Sequence, residues 1–546
     1  MCNTPPVLTS FAKSMRRNRS VRDAYSRLLR LLPGTLRTAL QGSGARTIRP
    51  AQLAGWLDHA HQSDQSDLRG RRLIVFAYLP WWIDFMTAVS ASLIGRGADV
   101  TFAWLPYWAF DQETPENDRE MAARYEAVLG RPRERFRSVN LKSLTVTPAT
   151  VTDEMTRTAY FDTQYVLRRE EIDIENEHQG VFQLRLGRLR QAYAAFEKLL
   201  ADGRFDSALI PNGGVLEFAA VWQAARDFGI DSVTLESWEK LGTCAVGYGR
   251  PCFEEIAKEL WNADSGRLDE PRRARVERSM RERESPDWTG HVVSYQNAAV
   301  QDAQGLRTQL GLDDRRPIAL VCPNVPYDAA FLRFESGFKT MADWLRTLVR
   351  QLEARVDWQV VIRAHPGETA LASRQGAESI LTSAIENLPA HFHFIGPAEK
   401  VNTYALMRIA TAGFVFGSTT GLEMAARGLP VVMPAATHYA RKGFTRDAFT
   451  REGYIAAVLA QLDGPGARLT QAEIDLAWCY MDVYMNQWCR PFPWCLPTFP
   501  NDIRSWPIER VLGGEGMRLF GETFTILTGG EGARRRMSIP APQEAS

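Results

Sequence analysis

His365 directly precedes Pro366 and follows an apolar run at residues 358–362, with Arg363 two positions before it. Proline fixes the turn and removes a backbone donor. A histidine held there beside an arginine can donate hydrogen bonds to a phosphate or a departing oxygen; it reads equally as a loop histidine bonded to a carbonyl. Further on, Ser418, Thr419 and Thr420 separate the apolar run 413–416 from a helical pattern, which makes that helix N-terminus an anion site. Thr420 and Glu423 also match the capping box T-x-x-E. Glu423 thus either caps the helix or accepts from ribose hydroxyls, and both readings stay open. In THYARKGFTRD, Tyr439, Arg441 and Lys442 supply positive charge suited to a diphosphate or an acidic sugar, or else form a solvated loop.

Acids stand at other strand ends. Asp328 in PNVPYDAA and Glu236 in LESWEK each read as a catalytic base, a substrate anchor or a helix cap. Asn212, Gly213 and Gly214 form a turn where glycine lets the backbone approach a ligand. In the first turn, YLPWWID, Trp81, Trp82 and Asp84 can stack on and bond to a sugar acceptor, although core packing also explains the two tryptophans. Cys479, Cys489 and Cys495 cluster without a CxxC, so no metal site is assigned.

The elements that position these residues alternate strand and helix. Residues 72–78 (RLIVFAY), 99–104, 205–211, 232–235, 317–322, 358–362, 413–416 and 430–433 read as buried strands. Helical periodicity lies between them, clearest where Phe338, Met341, Trp344, Leu345, Leu348 and Leu352 share one face. Parallel α/β sheets result, with ligands expected beyond the carboxyl ends of the strands. The first turn has no GxGxxG, which removes a dinucleotide fingerprint there.

The two βαβ halves divide the chain into a basic leader (1–50), a first α/β domain with a helical insertion near 111–200 (51–258), a charged helical linker read as solvated (259–310), a second α/β domain (311–465), a helical region (466–531) and a disordered tail (532–546). At 546 residues the chain needs several cores. A net charge of +1 gives no reason to expect a nucleic-acid partner. The leader carries ten Lys or Arg against Asp23 alone. It reads as a basic amphipathic helix, kinked at Pro33, that either contacts an anionic membrane surface or packs on the first domain. No apolar run reaches the roughly 20 residues of a membrane span and no secretory h-region is present. Seven scattered cysteines suit a reducing cytoplasm.

The motifs NVPYDAAFL, VIRAHPGE, KVNTYALM, GSTTGLEMAARGLPVV and THYARKGFTRD occur in this order across about residues 322–447. The series resembles the bacterial capsule polysaccharide biosynthesis proteins, GT-B-type glycosyltransferases that include capsule Kdo transferases. PNGGVLEFAAVWQAARDFGIDSVTLES resembles that family more loosely. The resemblance implies two Rossmann-like domains facing a central cleft, with additional helices, the first for the acceptor and the second for a nucleotide sugar. His365 and Pro366 look like its HP motif on the nucleotide phosphate, with Ser418 and Thr419 as the hydroxyl pair on the same phosphate. Arg363, Thr420, Glu423, Tyr439 and Lys442 complete the expected donor set. His365, Glu236 and Asp328 form the expected catalytic set, and Asp84 and Asn212 the acceptor side.

The implied activity is cytoplasmic transfer of a sugar, in one version an acidic sugar from a CMP donor, to a surface polysaccharide or its lipid-linked precursor. The nucleotide sugar is the co-substrate, and neither metal nor further cofactor is expected. Partners are the donor, a glycan or glycolipid acceptor, and the inner membrane surface at its periphery. One departure stands out: the acidic D/E-D/E-G motif of related sialyltransferases is replaced by PNGG. A CDP-polyol phosphotransferase, a nucleotide-sugar epimerase and a non-catalytic scaffold that binds sugar nucleotides are the alternatives.

Overall fold

The computed structural model describes residues 48–63, 65–254, 257–285, 298–327 and 334–537. The leader up to residue 47, the candidate base Asp328 and the tail from residue 538 lie outside the described residues.

Strands β1 (Arg72–Tyr78), β2 (Asp99–Leu105), β3 (Phe136–Asn140), β4 (Ser207–Pro211) and β5 (Ser232–Ser237) form a parallel sheet in the order β3-β2-β1-β4-β5. β6 (Thr243–Tyr248) adds to β5 antiparallel. All of β1 beyond Arg72 is buried, because helices cover both faces and leave no side for polar residues. The second unit is a six-stranded parallel sheet of β7 (Ile318–Cys322), β8 (Gln359–Arg363), β9 (Phe392–Ile395), β10 (Ala412–Val415), β11 (Val431–Met433) and β12 (Arg446–Asp447), ordered β12-β11-β10-β7-β8-β9. The order in which its strands are laid down reverses between β7 and β10, the switch point where such sheets bind ligands. The helix Met341–Glu353 buries Met341, Trp344, Leu345, Leu348 and Leu352 as its periodicity predicts. Two Rossmann-like units in a GT-B-like arrangement are therefore present.

The region expected to be a helical insertion holds the helices Pro115–Leu129, Asp153–Leu167 and Gln179–Asp202, but it also contains β3. FRSVN is short and polar, yet β2 offers it an open edge, and Phe136 packs 6.1 Å from Phe102. Gln179–Asp202 is accordingly the crossover from β3 to β4 rather than an insertion.

The linker is not solvated either. Its helix Glu270–Glu284 buries Arg272 and Val276. Arg272 and Arg275 both pair with the fully buried Asp482, and Glu284 pairs with Arg408 and Arg427. Charge patterning alone cannot show this, because all of these partners lie more than 100 residues away in sequence.

The C-terminal region joins both units. The helix Gln471–Asp482 continues through a π-helical turn, Val483–Gln487. β13 (Arg490–Pro491) then pairs with β6, and Phe492, Trp494 and Phe499 enter the core of the first unit. Residues 532–537, expected in the disordered tail, belong to the helix Gly530–Met537. Arg490 donates to the carbonyls of Arg536 and Met537 and ties its end down. At the junction of the units, Trp238 packs at 4.6 Å from Trp488 and 5.3 Å from Tyr484 inside a core shared by both sheets.

Candidate active site

The pairing of β4 with its parallel neighbour β5 stops at Pro211 opposite Leu235, so Asn212, which follows β4, stands beside Glu236, which is still within β5. Asn212 Nδ2 donates to Glu236 Oε2 at 3.2 Å, and the Ser237 N–H donates to Oε1 at 2.9 Å. The turn needs left-handed backbone: Asn212 has φ 55° and Gly213 φ 80°. A Cβ at Gly213 would lie 2.6 Å from the Thr234 methyl carbon. Burial pushes the Glu236 carboxyl up to about 7, against the opposing pull of the Asn212 and Ser237 hydrogen bonds. A carboxyl poised there can take a proton near neutral pH.

In the second unit, His365 follows β8. Its Nδ1 accepts the Gly367 N–H at 3.0 Å, so a neutral ring carries its proton on Nε2. Burial, helped by the neighbouring Arg363 charge, lowers the imidazole to about 4 and keeps it neutral at physiological pH. Arg363 itself is buried, and its two terminal nitrogens donate to the carbonyls of Gly396, Glu399 and Val401. It braces the 396–401 loop. Pro366 opens the short turn Gly367–Ala370.

Across the switch point, Asn324 after β7 accepts the Gly417 N–H at 3.3 Å. The buried Ser418 hydroxyl donates to Thr420 Oγ1 at 3.0 Å, and the Thr419 side chain meets the Tyr484 hydroxyl. No capping box forms. The helix Thr420–Ala425 has Thr419 as its N-cap in helical rather than extended backbone, with no side-chain cap bond. The Glu423 carboxylate is taken instead by Arg283 Nε at 2.5 Å and the Tyr404 hydroxyl at 2.9 Å. Neither the cap nor an open ribose acceptor describes Glu423 here. Tyr439 is fully buried and donates to the Ser418 carbonyl at 2.5 Å, so it is a strut under the turn rather than a cleft residue. Lys442 lies over the rings of Tyr480 and Trp261, 5.5 and 5.9 Å from their centroids.

Asp84 is wholly buried. It accepts from the Ile48 N–H and the Tyr125 hydroxyl, both at 2.8 Å, and burial pushes its carboxyl up to about 7. It belongs to the core beneath the first helix, and its assignment to the acceptor side is corrected. Trp82 packs against Phe85 and Phe218, whereas Trp81 is about one-third exposed (37%).

The residue that sequence reasoning missed is Arg283. It ends the linker helix and bridges Glu423 of the second unit to Glu239 of the first, three residues past Glu236. Burial disfavours its charge, but the Glu423 and Glu239 carboxylates outweigh that and hold its pKa well above the usual value. Tyr484 donates to Glu239 at 3.2 Å and closes the network toward Thr419. The turn after β5, which carries Glu236 at its strand end, is thereby tied to the helix that follows the Ser418 turn.

Beside this network a cavity of about 1200 Å³ opens between β6 with the following segment and the 436–442 loop. Tyr248, Arg250, Lys258, Arg441, Lys442 and Trp488 are among its walls. His365, Ser418 and Glu236 do not line it, although its Cys252 wall is joined to the Asn212 carbonyl by a backbone bond of 3.1 Å. Among the described residues no group of His, Cys, Asp and Glu is arranged to hold a metal, and no helix is long and apolar enough to cross a membrane.

Residues 284–474 match the family model described as capsule polysaccharide biosynthesis protein. The family resemblance carried by the five motifs therefore holds over the second unit and the end of the linker. No curated protein sequence matches the chain. Among solved structures, the chain is similar to Thermosulfurimonas dismutans KpsC, beta Kdo 2,4 transferase, at 14% identity, covering 57% of this chain and 88% of that one, with a TM-score of 0.33. It is similar to the beta Kdo 2,7 transferase of the same KpsC at 16% identity, 52% and 79% coverage, and a TM-score of 0.31. UDP-GlcNAc 2-epimerase from Neisseria meningitidis bound to UDP-GlcNAc aligns at 10% identity, 76% and 97% coverage, and a TM-score of 0.24. At such values the fold rests on the chain's own two sheets.

Proposed function

We propose that the protein is a glycosyltransferase of capsule polysaccharide biosynthesis. It transfers a sugar from a nucleotide donor on the second unit to a hydroxyl of a glycan or glycolipid acceptor on the first. The observation that carries this reading is the junction itself, where Arg283 fixes the turn after β5 against the helix that follows the Ser418 turn.

His365, neutral and protonated on Nε2, donates to a phosphate oxygen of the donor, and the Ser418 and Thr419 hydroxyls add to that binding by exchanging their bonds to Thr420 and Tyr484 for bonds to the phosphate. These donors stabilise the charge that develops as the bond from the anomeric carbon to the phosphate oxygen breaks. Glu236, oriented by Asn212, accepts or orients the acceptor hydroxyl proton as the new carbon–oxygen bond forms. The cavity beside the network has room for an acceptor chain, with rings and cations on its walls. A CMP-activated acidic sugar is the donor favoured by the motif resemblance.

His365→Ala tests the assignment. Transfer is lost while the variant keeps the wild-type unfolding midpoint. Wild-type turnover in that variant would overturn it.

A further inference from the structure

The two units also meet away from the Trp238 junction, through polar groups rather than an apolar core. Residues 168–171 leave the end of the helix Asp153–Leu167 with Arg168 at φ 55°, and so turn sharply toward the second unit. There the Arg168 carbonyl accepts the Arg374 N–H at 2.9 Å. Gln375 Oε1 accepts the N–H groups of Glu170 and Glu171, each at 3.0 Å, and its amide nitrogen donates to the Glu171 carboxylate. Glu171 also pairs with Arg346, NH2 to Oε2 at 2.8 Å. The buried Glu170 carboxylate accepts the Met341 and Ala342 N–H groups at 2.6 and 2.8 Å, the two donors of the helix Met341–Glu353 that the Thr340 cap does not reach.

What this clasp grips is the loop that follows His365. Gly367 N–H bonds His365 Nδ1, Glu368 N–H bonds the His365 carbonyl at 3.0 Å, and the Glu368 carboxylate receives the Ala377 N–H. Arg374 and Gln375 lie inside that closed loop, and Ser373 beside them bonds the Tyr327 hydroxyl at 2.9 Å. Polar contacts of this kind exchange with water at little net cost, so the clasp can open while the apolar junction holds.

We propose that Glu170 and Gln375 are positioning residues that form a closure clasp: they register the His365 loop against the first unit, so that the phosphate-site geometry is complete only when the two units are closed. This rests on the reading of His365 as a donor-phosphate ligand.

The test uses the full chain with Gln375→Ala, Glu170→Ala and Glu170→Gln, the last keeping one acceptor oxygen for the helix N–H groups. Amide hydrogen exchange is followed in residues 366–377 and at Met341 and Ala342, alongside kcat and KM for the donor. Expected are at least about tenfold faster exchange in the loop for Gln375→Ala and, because a small misplacement of a reacting group costs on that order, a kcat lowered about tenfold or more with donor KM changed far less. Glu170→Gln recovers part of both losses relative to Glu170→Ala. Unchanged loop exchange in Gln375→Ala overturns the clasp, and faster exchange with unchanged kcat overturns its positioning role. Should the wild type transfer no sugar, the functional reading fails on its own. The clasp is then decided by whether the 366–377 exchange in Gln375→Ala rises or stays at the wild-type value.

Discussion

Arg283 Nε sits 2.5 Å from a carboxylate oxygen of Glu423, and the same guanidinium pairs with Glu239 of the first unit. Glu423 is almost fully buried, with a relative exposure of 4%. Removing one partner of such a pair leaves a buried charge and costs about 3–5 kcal/mol. Arg283→Met is expected to lower the urea unfolding free energy by that order, and Arg283→Met with Glu423→Gln by less than the sum of the single changes. Additive losses in that double-mutant cycle would show that the two side chains are not coupled.

Glu236 sets the pH dependence. Its folded pKa, about 7, is raised above the ordinary carboxyl value by burial. The folded state therefore binds this proton more tightly than the unfolded state. The cost to stability begins as pH rises above the unfolded value and is complete above about 7. Transfer should rise with pH with a midpoint near 7, and Glu236→Gln should abolish that limb while making the protein more stable at pH 8. The Asn212 hydrogen bond lowers this pKa, so Asn212→Ala should move the midpoint to higher pH. A midpoint that stays in place argues against Glu236 as the titrating group.

Tyr439 supports the Ser418 turn from beneath. Tyr439→Phe leaves the Ser418 carbonyl without this donor, at a cost of about 1–3 kcal/mol, and should weaken donor affinity, read by calorimetry with the nucleotide. Gly421 packs against the same hydroxyl and against Val415, so Gly421→Ala must push the strut aside. Its thermal midpoint should fall further in the wild-type background than in Tyr439→Phe. Equal falls would mean that the hydroxyl is not the obstacle.

Much of this arrangement was legible because strand ends are legible. Apolar runs bounded by turn residues located β1, β4, β5, β7, β8 and β10 to within two residues at either end. Parallel pairing that stops at Pro211 opposite Leu235 sets the next residue of each chain side by side, which is why Asn212 and Glu236 meet. What failed has a common cause, since side-chain partners distant in sequence leave no local pattern. Arg283 lies in a charged run that any local rule calls solvated, and its partners are 44 and 140 residues away. Arg283 and Tyr404 hold the Glu423 carboxylate in place of the capping box. Asp84 and Tyr439 were placed by proximity to a turn, but the faces they take are set by Tyr125 and Ser418. β3 and β13 are recruited by open sheet edges rather than by apolar content.

The central claim is tested most directly by incubating the full chain with CMP-, UDP-, GDP- and CDP-linked donors and a capsule glycan or glycolipid acceptor, then weighing the products by mass spectrometry. The account predicts an acceptor heavier by one glycosyl residue with one of these donors, and no such product from His365→Ala. A product that has gained phosphate, a donor isomerised without acceptor, or bound donor with no product from any acceptor would contradict it.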